Sequence, residues 1–107
     1  MKRQGENKVL YDIVTLLCKD YRRRKLAIEE KSVSPRVCME YVYLNSKIYD
    51  SAVEIVGKRY AEIMIRDIGE STGYAKSDVD GVCEGAYKVY KSEIRTRILK
   101  KLRLIDP

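Results

Sequence analysis

The segment Ile63–Tyr90 constrains the fold more than any other part of this chain. Two glycines four residues apart, Gly69 and Gly73, are followed six residues later by Val79. A small residue lets one helix cross another closely, a glycine readily adopts the left-handed conformation that ends a helix, and an apolar residue on the next helix closes the angle. The spacing therefore predicts a helix-turn-helix whose bend lies at Gly73.

The residues around this segment sharpen the pattern. Arg59, Tyr60 and Glu62 precede it, and Val79, Ala86 and Tyr90 follow at intervals of seven and four. With these residues the second half of the chain resembles the helix-turn-helix of sigma-factor region 4. It is also similar to the small phage late-gene transcription activators of the RinA and ArpU type. The resemblance implies a DNA-binding transcriptional regulator of phage or mobile-element type. Its implied partners are double-stranded DNA and, in addition, RNA polymerase or another protein.

The resemblance also implies which residues would read DNA bases. Lys76 and Ser77, at the start of the motif's second helix, are placed to reach the major groove. Asp78 or Asp80 would accept a hydrogen bond from a cytosine amino group. The predicted base-contacting residues are therefore Lys76, Ser77 and Asp80, and a substitution of Lys76 is expected to alter sequence preference.

Positive charge is concentrated at the two ends of the chain. Lys/Arg and Asp/Glu number nine and five in residues 1–31, six and nine in 32–85, and seven and two in 86–107. Basic ends supply salt-sensitive contacts to phosphates, which carry most sequence-independent affinity for DNA. A solvated helix face is the competing interpretation of the run Arg22–Lys25. The predicted phosphate-contacting residues are Arg22, Arg23, Arg24, Lys88, Arg95, Arg97, Lys100 and Lys101.

Apolar periodicity predicts an all-α fold, a compact bundle of four to five helices with the helix-turn-helix near residues 63–90. The 107 residues suffice for a single domain. Ser34 followed by Pro35 is a strong helix start. Ser51 with Glu54 has the spacing of a capping box, which favours a break there over one long helix. The predicted helices are about 7–31, 35–49, 51–64, 65–72 and 76–105.

The composition argues against an enzyme and against a metal or cofactor. Histidine is absent, and no glycine-rich phosphate loop or paired carboxylates are present. Cys18, Cys38 and Cys83 are widely spaced, which is typical of small buried hydrophobes in a reduced compartment rather than of zinc ligands. No apolar run approaches the roughly 20 residues that a membrane span requires. These features predict a cytoplasmic protein that does not bind membranes.

Two further expectations concern partners. The last helix carries an apolar stripe at near-heptad spacing, which could supply a homodimer contact. The alternative to a DNA-binding regulator is a small helical interaction module that inhibits or assists a nucleic-acid enzyme. Its acidic middle, with Asp78, Asp80 and Glu84, would occupy a groove that normally takes phosphates.

Overall fold

Five α-helices and one turn of 3-10 helix make up the fold. The structure is a computed structural model that describes residues 4–106, with side chains from residue 8 onward. No strand occurs in this range, so the predicted all-α class is confirmed. The helices are α1 (Gln4–Lys19), α2 (Tyr21–Glu30), α3 (Pro35–Val56), α4 (Lys58–Glu70) and α5 (Glu84–Lys101), with the 3-10 turn at Tyr74–Lys76.

One apolar core lies between the helices, as a compact bundle requires. α3 packs against α2, α4 and α5, while α1 packs against α4 and also contacts α5. Val79 is buried from the connection between α4 and α5, as its position in the predicted motif suggested. The largest fully buried apolar side chains are Val14, Ile48, Met64, Ile65, Ile68, Tyr87, Ile94 and Ile98.

The first predicted helix, 7–31, is interrupted. α1 already includes Gln4 and ends at Lys19, and Asp20 separates it from α2. The Arg24 guanidinium donates to the Leu17 carbonyl at 2.6 Å, so a side chain satisfies a backbone group next to the break. The Asp20 amide still donates to the Leu16 carbonyl and the Arg24 amide to the Asp20 carbonyl, and α2 packs on α3.

The predicted break at residues 50–51 is wrong, because α3 runs without interruption from Pro35 to Val56. The Ser51 hydroxyl donates to the Lys47 carbonyl at 2.7 Å, an interaction within the helix and not an N-cap. The helix ends instead at Gly57, whose φ of 81° is a conformation that favours glycine. The predicted helix start is confirmed, since the Ser34 side chain accepts from the Val37 amide at 3.3 Å.

The predicted helix-turn-helix is wrong in its bounds. α4 includes both 58–64 and 65–70, and its left-handed C-cap is Ser71 rather than Gly73, which has an extended conformation. The predicted helix 76–105 begins only at Glu84 and ends at Lys101. The connection 71–83 is much longer than the 3–4 residues of a tight helix-turn-helix. Side chains hydrogen-bond to part of its backbone, namely the Thr72 carbonyl, the Val79 amide and the Val82 carbonyl.

The apolar stripe of the last helix is used inside the chain. Tyr87, Ile94 and Ile98 of α5 are each no more than 1% exposed. These three side chains are covered within the chain and are not free to pack against a second molecule. Tyr90, Leu102 and Ile105 of the same stripe are only partly buried, and a homodimer contact there stays a prediction.

Candidate nucleic-acid interface

A basic cleft lies where the junction of α1 and α2 meets α4. Its volume is about 220 Å³, and its lining includes four cationic side chains from these elements. Ile65 and Cys18, both buried, lie beneath these polar groups. The four cations are Lys19 and Arg22 on one side, Lys25 one turn further along α2, and Arg66 on α4.

The close approach of α1 and α4 sets the width of this cleft. A Cβ atom on Gly69 would lie 2.5 Å from Lys19 N and 2.7 Å from Lys19 Cα, so only glycine permits the contact. The sequence pattern correctly predicted a close helix crossing at Gly69. It assigned the wrong partner, because the crossing element is the end of α1 and not the second helix of the motif.

Two of the predicted phosphate contacts, Arg23 and Arg24, pair with Asp20 at the α1–α2 junction, Arg23 from an exposed position and Arg24 from a buried one. Arg23 donates to both carboxylate oxygens of Asp20, at 2.6 and 2.7 Å, and these hydrogen bonds lower the pKa of Asp20. Arg24 is only 3% exposed and donates to Asn45 at 2.8 Å as well as to Leu17. Arg24 is therefore a structural residue, and its predicted contact with DNA is wrong because the side chain is buried.

Two of the four cations in the cleft already have carboxylate partners. Lys25 Nζ lies 2.6 Å from Glu62 Oε2, and this hydrogen bond raises the pKa of Lys25 and lowers that of Glu62. Arg66 lies 2.7 Å from Asp78. Both pairs are exposed enough to exchange with solvent or with a phosphate. Lys19 and Arg22 make no ion pair with any side chain that the structure describes.

A second cleft adjoins the first and adds Lys76 to the same side of the molecule. Arg66 and Glu70 line both clefts, so the two are continuous along α4. Lys76 is exposed in the 3-10 turn and lines the second cleft. The structure thus brings together Arg22 and Lys76, which sequence analysis had predicted separately. We call the set Lys19, Arg22, Lys25, Arg66 and Lys76 the α4 face.

Ser77 and Asp80, the other predicted base-contacting residues, both hydrogen-bond to other side chains of the protein. Ser77 Oγ donates to Asp67 Oδ2 at 2.5 Å and accepts from the Val79 amide. Asp80 accepts a hydrogen bond from the Tyr60 hydroxyl, which lowers the pKa of Asp80. Both side chains therefore anchor the connection 71–83. The Ser77 hydroxyl is thereby engaged by a buried carboxylate, whereas Asp80 is exposed, and its role in base reading stays a prediction.

Asp67 is the centre of that anchoring. Its carboxylate is fully buried and accepts from Ser77 and from the Tyr87 hydroxyl, the latter at 2.8 Å. Burial, with the hydrogen bond to Asp67, raises the pKa of Tyr87 to about 12. Lys91 donates to the Thr72 carbonyl at 2.8 Å and fixes the start of the same connection. The backbone that presents Lys76 is therefore tied to both α4 and α5.

The predicted cations of the last helix lie elsewhere. Arg95 is 8% exposed and donates to the Tyr11 carbonyl and the Thr15 hydroxyl, so burial rules out its predicted contact with DNA. Arg97 and Lys101 share Glu54, at 2.9 and 2.8 Å, and with exposed Lys100 they line a cleft that has no residue in common with the α4 face. Lys88 pairs with Glu84 at 3.0 Å. The two basic ends of the sequence do not form one surface.

Sequence analysis missed two members of the α4 face, Lys19 and Arg66, and named Lys25 only as part of the run Arg22–Lys25. Arg66 lies within residues 32–85, whose net charge is negative, so the charge of that segment gave no indication of a basic site there. The available signal was its spacing: Glu62, Arg66 and Glu70 recur at four residues, which places them on one side of α4. The contact between Lys19 and Gly69 brings residues fifty apart in sequence together, and no local pattern reports such a pairing.

The cysteines differ in burial in a way that labelling can measure. Burial raises the pKa of the Cys18 thiol to about 12, whereas Cys38 is half-buried and Cys83 is exposed, so the prediction of three buried cysteines is wrong for Cys83. Because the thiolate is the reactive form, we expect Ellman's reagent at pH about 8.5 to modify Cys83 first and Cys18 only when denaturant is added. Labelling of Cys18 in native protein at the rate of Cys83 would contradict this packing.

Comparison with protein-family models, curated proteins and solved structures finds no match to this chain. The resemblance to sigma-factor region 4 therefore stays a prediction. In residues 4–106, none of the helices combines the length and the apolar character needed to cross a membrane. Within the same range no group of three or more potential metal-ligating side chains lies together.

Proposed function

We propose that this protein is a DNA-binding regulator that holds double-stranded DNA by phosphate contacts along the α4 face. The observation that carries the proposal is the convergence of five cations, from three separate segments, around a continuous cleft. Two of them, Lys19 and Arg22, have no carboxylate partner among the described side chains. A cation without a carboxylate partner can bind a phosphate without first breaking an ion pair.

The local balance of charge supports phosphate binding. Three carboxylates, Glu62, Glu70 and Asp78, line the two clefts beside the five cations. The excess is therefore positive on this side although residues 32–85 as a whole are net negative. Arginine matters most here, because a guanidinium can donate two parallel hydrogen bonds to a phosphate. Arg22 is exposed and supplies such a group at the open side of the cleft.

Phosphate contacts are favoured over base reading for Lys76 because it does not lie in the first turn of an α-helix. Lys76 lies in a 3-10 turn, and α5 begins eight residues later. A helix in the major groove reads bases with residues near its N-terminus. At α5 that position holds Glu84, whose carboxylate pairs with Lys88. We therefore assign Lys76 to the phosphate backbone.

Arg22→Ala tests this assignment. If the five cations of the α4 face each contact a phosphate, affinity for a mixed-sequence duplex falls roughly 500-fold between about 50 and 200 mM salt. Removing Arg22 should weaken every sequence alike and reduce the slope of log K against log salt by about 1. Fluorescence anisotropy of a labelled duplex over a salt series measures both quantities.

Lys100→Ala is the matched control. Lys100 is as exposed a cation as Arg22, but it lies in the α5 cleft. Its removal changes net charge by the same amount and should leave the slope unchanged. Equal losses for the two variants would show that net charge, and not the α4 face, attracts DNA. Absence of binding at about 50 mM salt would refute the proposal itself.

The alternative, a protein-interaction module that acts through an acidic surface, has less support. Its three carboxylates already have partners: Arg66 for Asp78, Tyr60 for Asp80 and Lys88 for Glu84. The two cations partly offset the negative potential of Asp78 and Glu84, whereas Asp80, whose partner is a neutral hydroxyl, keeps its charge. Neutralising the three carboxylates should therefore change binding to another protein only slightly.

A further inference from the structure

The outer side of α3 carries a row of exposed residues at heptad spacing. Intervals of three, four, three and four residues place them on one line along the helix. Asn45, Ile48 and Ala52 form the buried side, which faces the other way. The row consists of Arg36, Met39, Tyr43, Ser46 and Asp50, and we call it the α3 row.

The middle of the α3 row is apolar although nothing in the described chain covers it. Met39 is 74% exposed and Tyr43 is 50% exposed, and Val42 beside them is 46% exposed. A surface helix normally carries polar side chains on the side opposite its core. A contiguous exposed apolar group of this kind marks an interaction surface.

The charges along α3 indicate what that surface binds. Arg36 and Asp50 lie seven residues on either side of Tyr43, and Glu40 and Lys47 flank the row on one edge. Every positive position has a negative counterpart at about the same distance from Tyr43. The charges of α3 would therefore meet opposite charges on a second α3 helix that runs antiparallel to it.

We propose that two copies of this protein associate through their α3 rows, packed antiparallel with a two-fold axis at Tyr43. In that register Arg36 faces Asp50 of the second copy, and Glu40 lies beside its Lys47. Because a two-fold interface repeats each contact, four opposite-charge pairs surround the apolar centre. A parallel arrangement would place Arg36 on Arg36 and Asp50 on Asp50, so like charges exclude it. This association does not depend on the proposed binding of DNA.

The contacts that these side chains make within one copy are weak enough to exchange. Arg36 and Glu40 are 3.7 Å apart on an open surface, and Lys47 lies 5.3 Å from the centre of the Tyr43 ring. The α3 row is about 21 Å long at 1.5 Å per residue. An interface of that length buries an area at the small end of the range for protein interfaces. We therefore expect reversible association with a Kd on the order of 10 μM.

Charge reversal distinguishes this register from other contacts. Asp50→Arg places two arginines together at each end of the interface, and Arg36→Asp places two aspartates together, so each single variant should raise Kd about tenfold or more. The double variant, which combines Arg36→Asp with Asp50→Arg, restores opposite charges and should return to within about threefold of the original Kd. Sedimentation equilibrium over a concentration series at constant salt measures each Kd.

Glu93→Arg is the control, because Glu93 is exposed on α5 and its reversal changes net charge as Asp50→Arg does. It should leave Kd unchanged. All of these positions are exposed, so circular dichroism should report the same helix content throughout. The proposal is overturned if the unmodified protein stays monomeric up to about 1 mM. It is equally overturned if the double variant fails to recover, or if Glu93→Arg weakens association as much as Asp50→Arg.

Discussion

Gly69→Ala should lower the free energy of unfolding by about 3 kcal/mol, because the added methyl group would meet backbone and not flexible side chains. All three of the nearest atoms, Lys19 N, Lys19 Cα and Cys18 C, would be within 2.8 Å of the new Cβ. No rotamer change relieves such a contact, so α1 and α4 must move apart. Urea denaturation followed by circular dichroism measures the loss.

Gly85→Ala is the matched substitution. Gly85 lies in the first turn of α5, and a Cβ there would have no neighbour within 4 Å. The same chemical change should therefore raise stability by roughly 0.5–1 kcal/mol, since alanine loses less conformational entropy than glycine in a helix. Stability changes of the same sign and size in both variants would contradict the close contact between α1 and α4 at Gly69.

Moving α1 away from α4 also widens the basic cleft, which links this prediction to function. Lys19 belongs to the α4 face and sits at the contact with Gly69. In the Gly69→Ala variant, DNA affinity should fall even under conditions where the protein remains folded. Gly85→Ala should bind DNA as the unmodified protein does.

Asp67→Ala should lower the free energy of unfolding by about 3 kcal/mol, because it removes the charged acceptor of a buried network. The Ser77 hydroxyl would lose its acceptor, and the Tyr87 hydroxyl would retain only the more distant Thr72 carbonyl at 3.1 Å. The connection 71–83 would then be held less firmly. Trypsin should cleave after Lys76 faster than in the unmodified protein, and urea denaturation measures the loss of stability.

Asp78→Ala is the comparison for Asp67→Ala. Asp78 belongs to the same connection and pairs with Arg66 at 2.7 Å, but its side chain is largely exposed. Exposed pairs contribute about 0–1 kcal/mol, so we expect a small effect on stability. Removal of Asp78 also takes a negative charge from the α4 face and leaves Arg66 with the more distant Asp67 carboxylate, at 3.6 Å, which should strengthen DNA binding. An Asp67→Ala variant as stable as Asp78→Ala would contradict the role given to the buried carboxylate.

Sequence patterns predicted the local features that depend on neighbours along the chain. Ser34 and Pro35 start α3 where capping chemistry placed the start. The break before them, the all-α class and the apolar stripe of α5 were predicted in the same way. The break at residues 50–51 was predicted wrongly, because a capping-box spacing also occurs inside a helix when the serine hydroxyl bonds to the preceding turn.

Burial of charge could not be predicted from the same patterns. Arg22, Arg23 and Arg24 are adjacent in the sequence and chemically identical. In the structure Arg22 is exposed, Arg23 is paired with Asp20, and Arg24 is buried against Asn45. The difference depends on which element packs against each side of α2. Arg95, predicted as a surface cation, is buried for a similar reason, because α1 covers it.

The amino-acid sequence by itself determined that this chain forms helices, where α3 starts, and that one of its glycines permits a close crossing, because periodicity, capping and side-chain size act over a few residues. Only the tertiary structure decided which helix crosses at Gly69, which arginines remain free, and that Lys19, Arg22, Lys25, Arg66 and Lys76 share one face. Those outcomes depend on contacts between residues far apart in the chain, where each side chain's exposure and ion pairing are set by what packs against it.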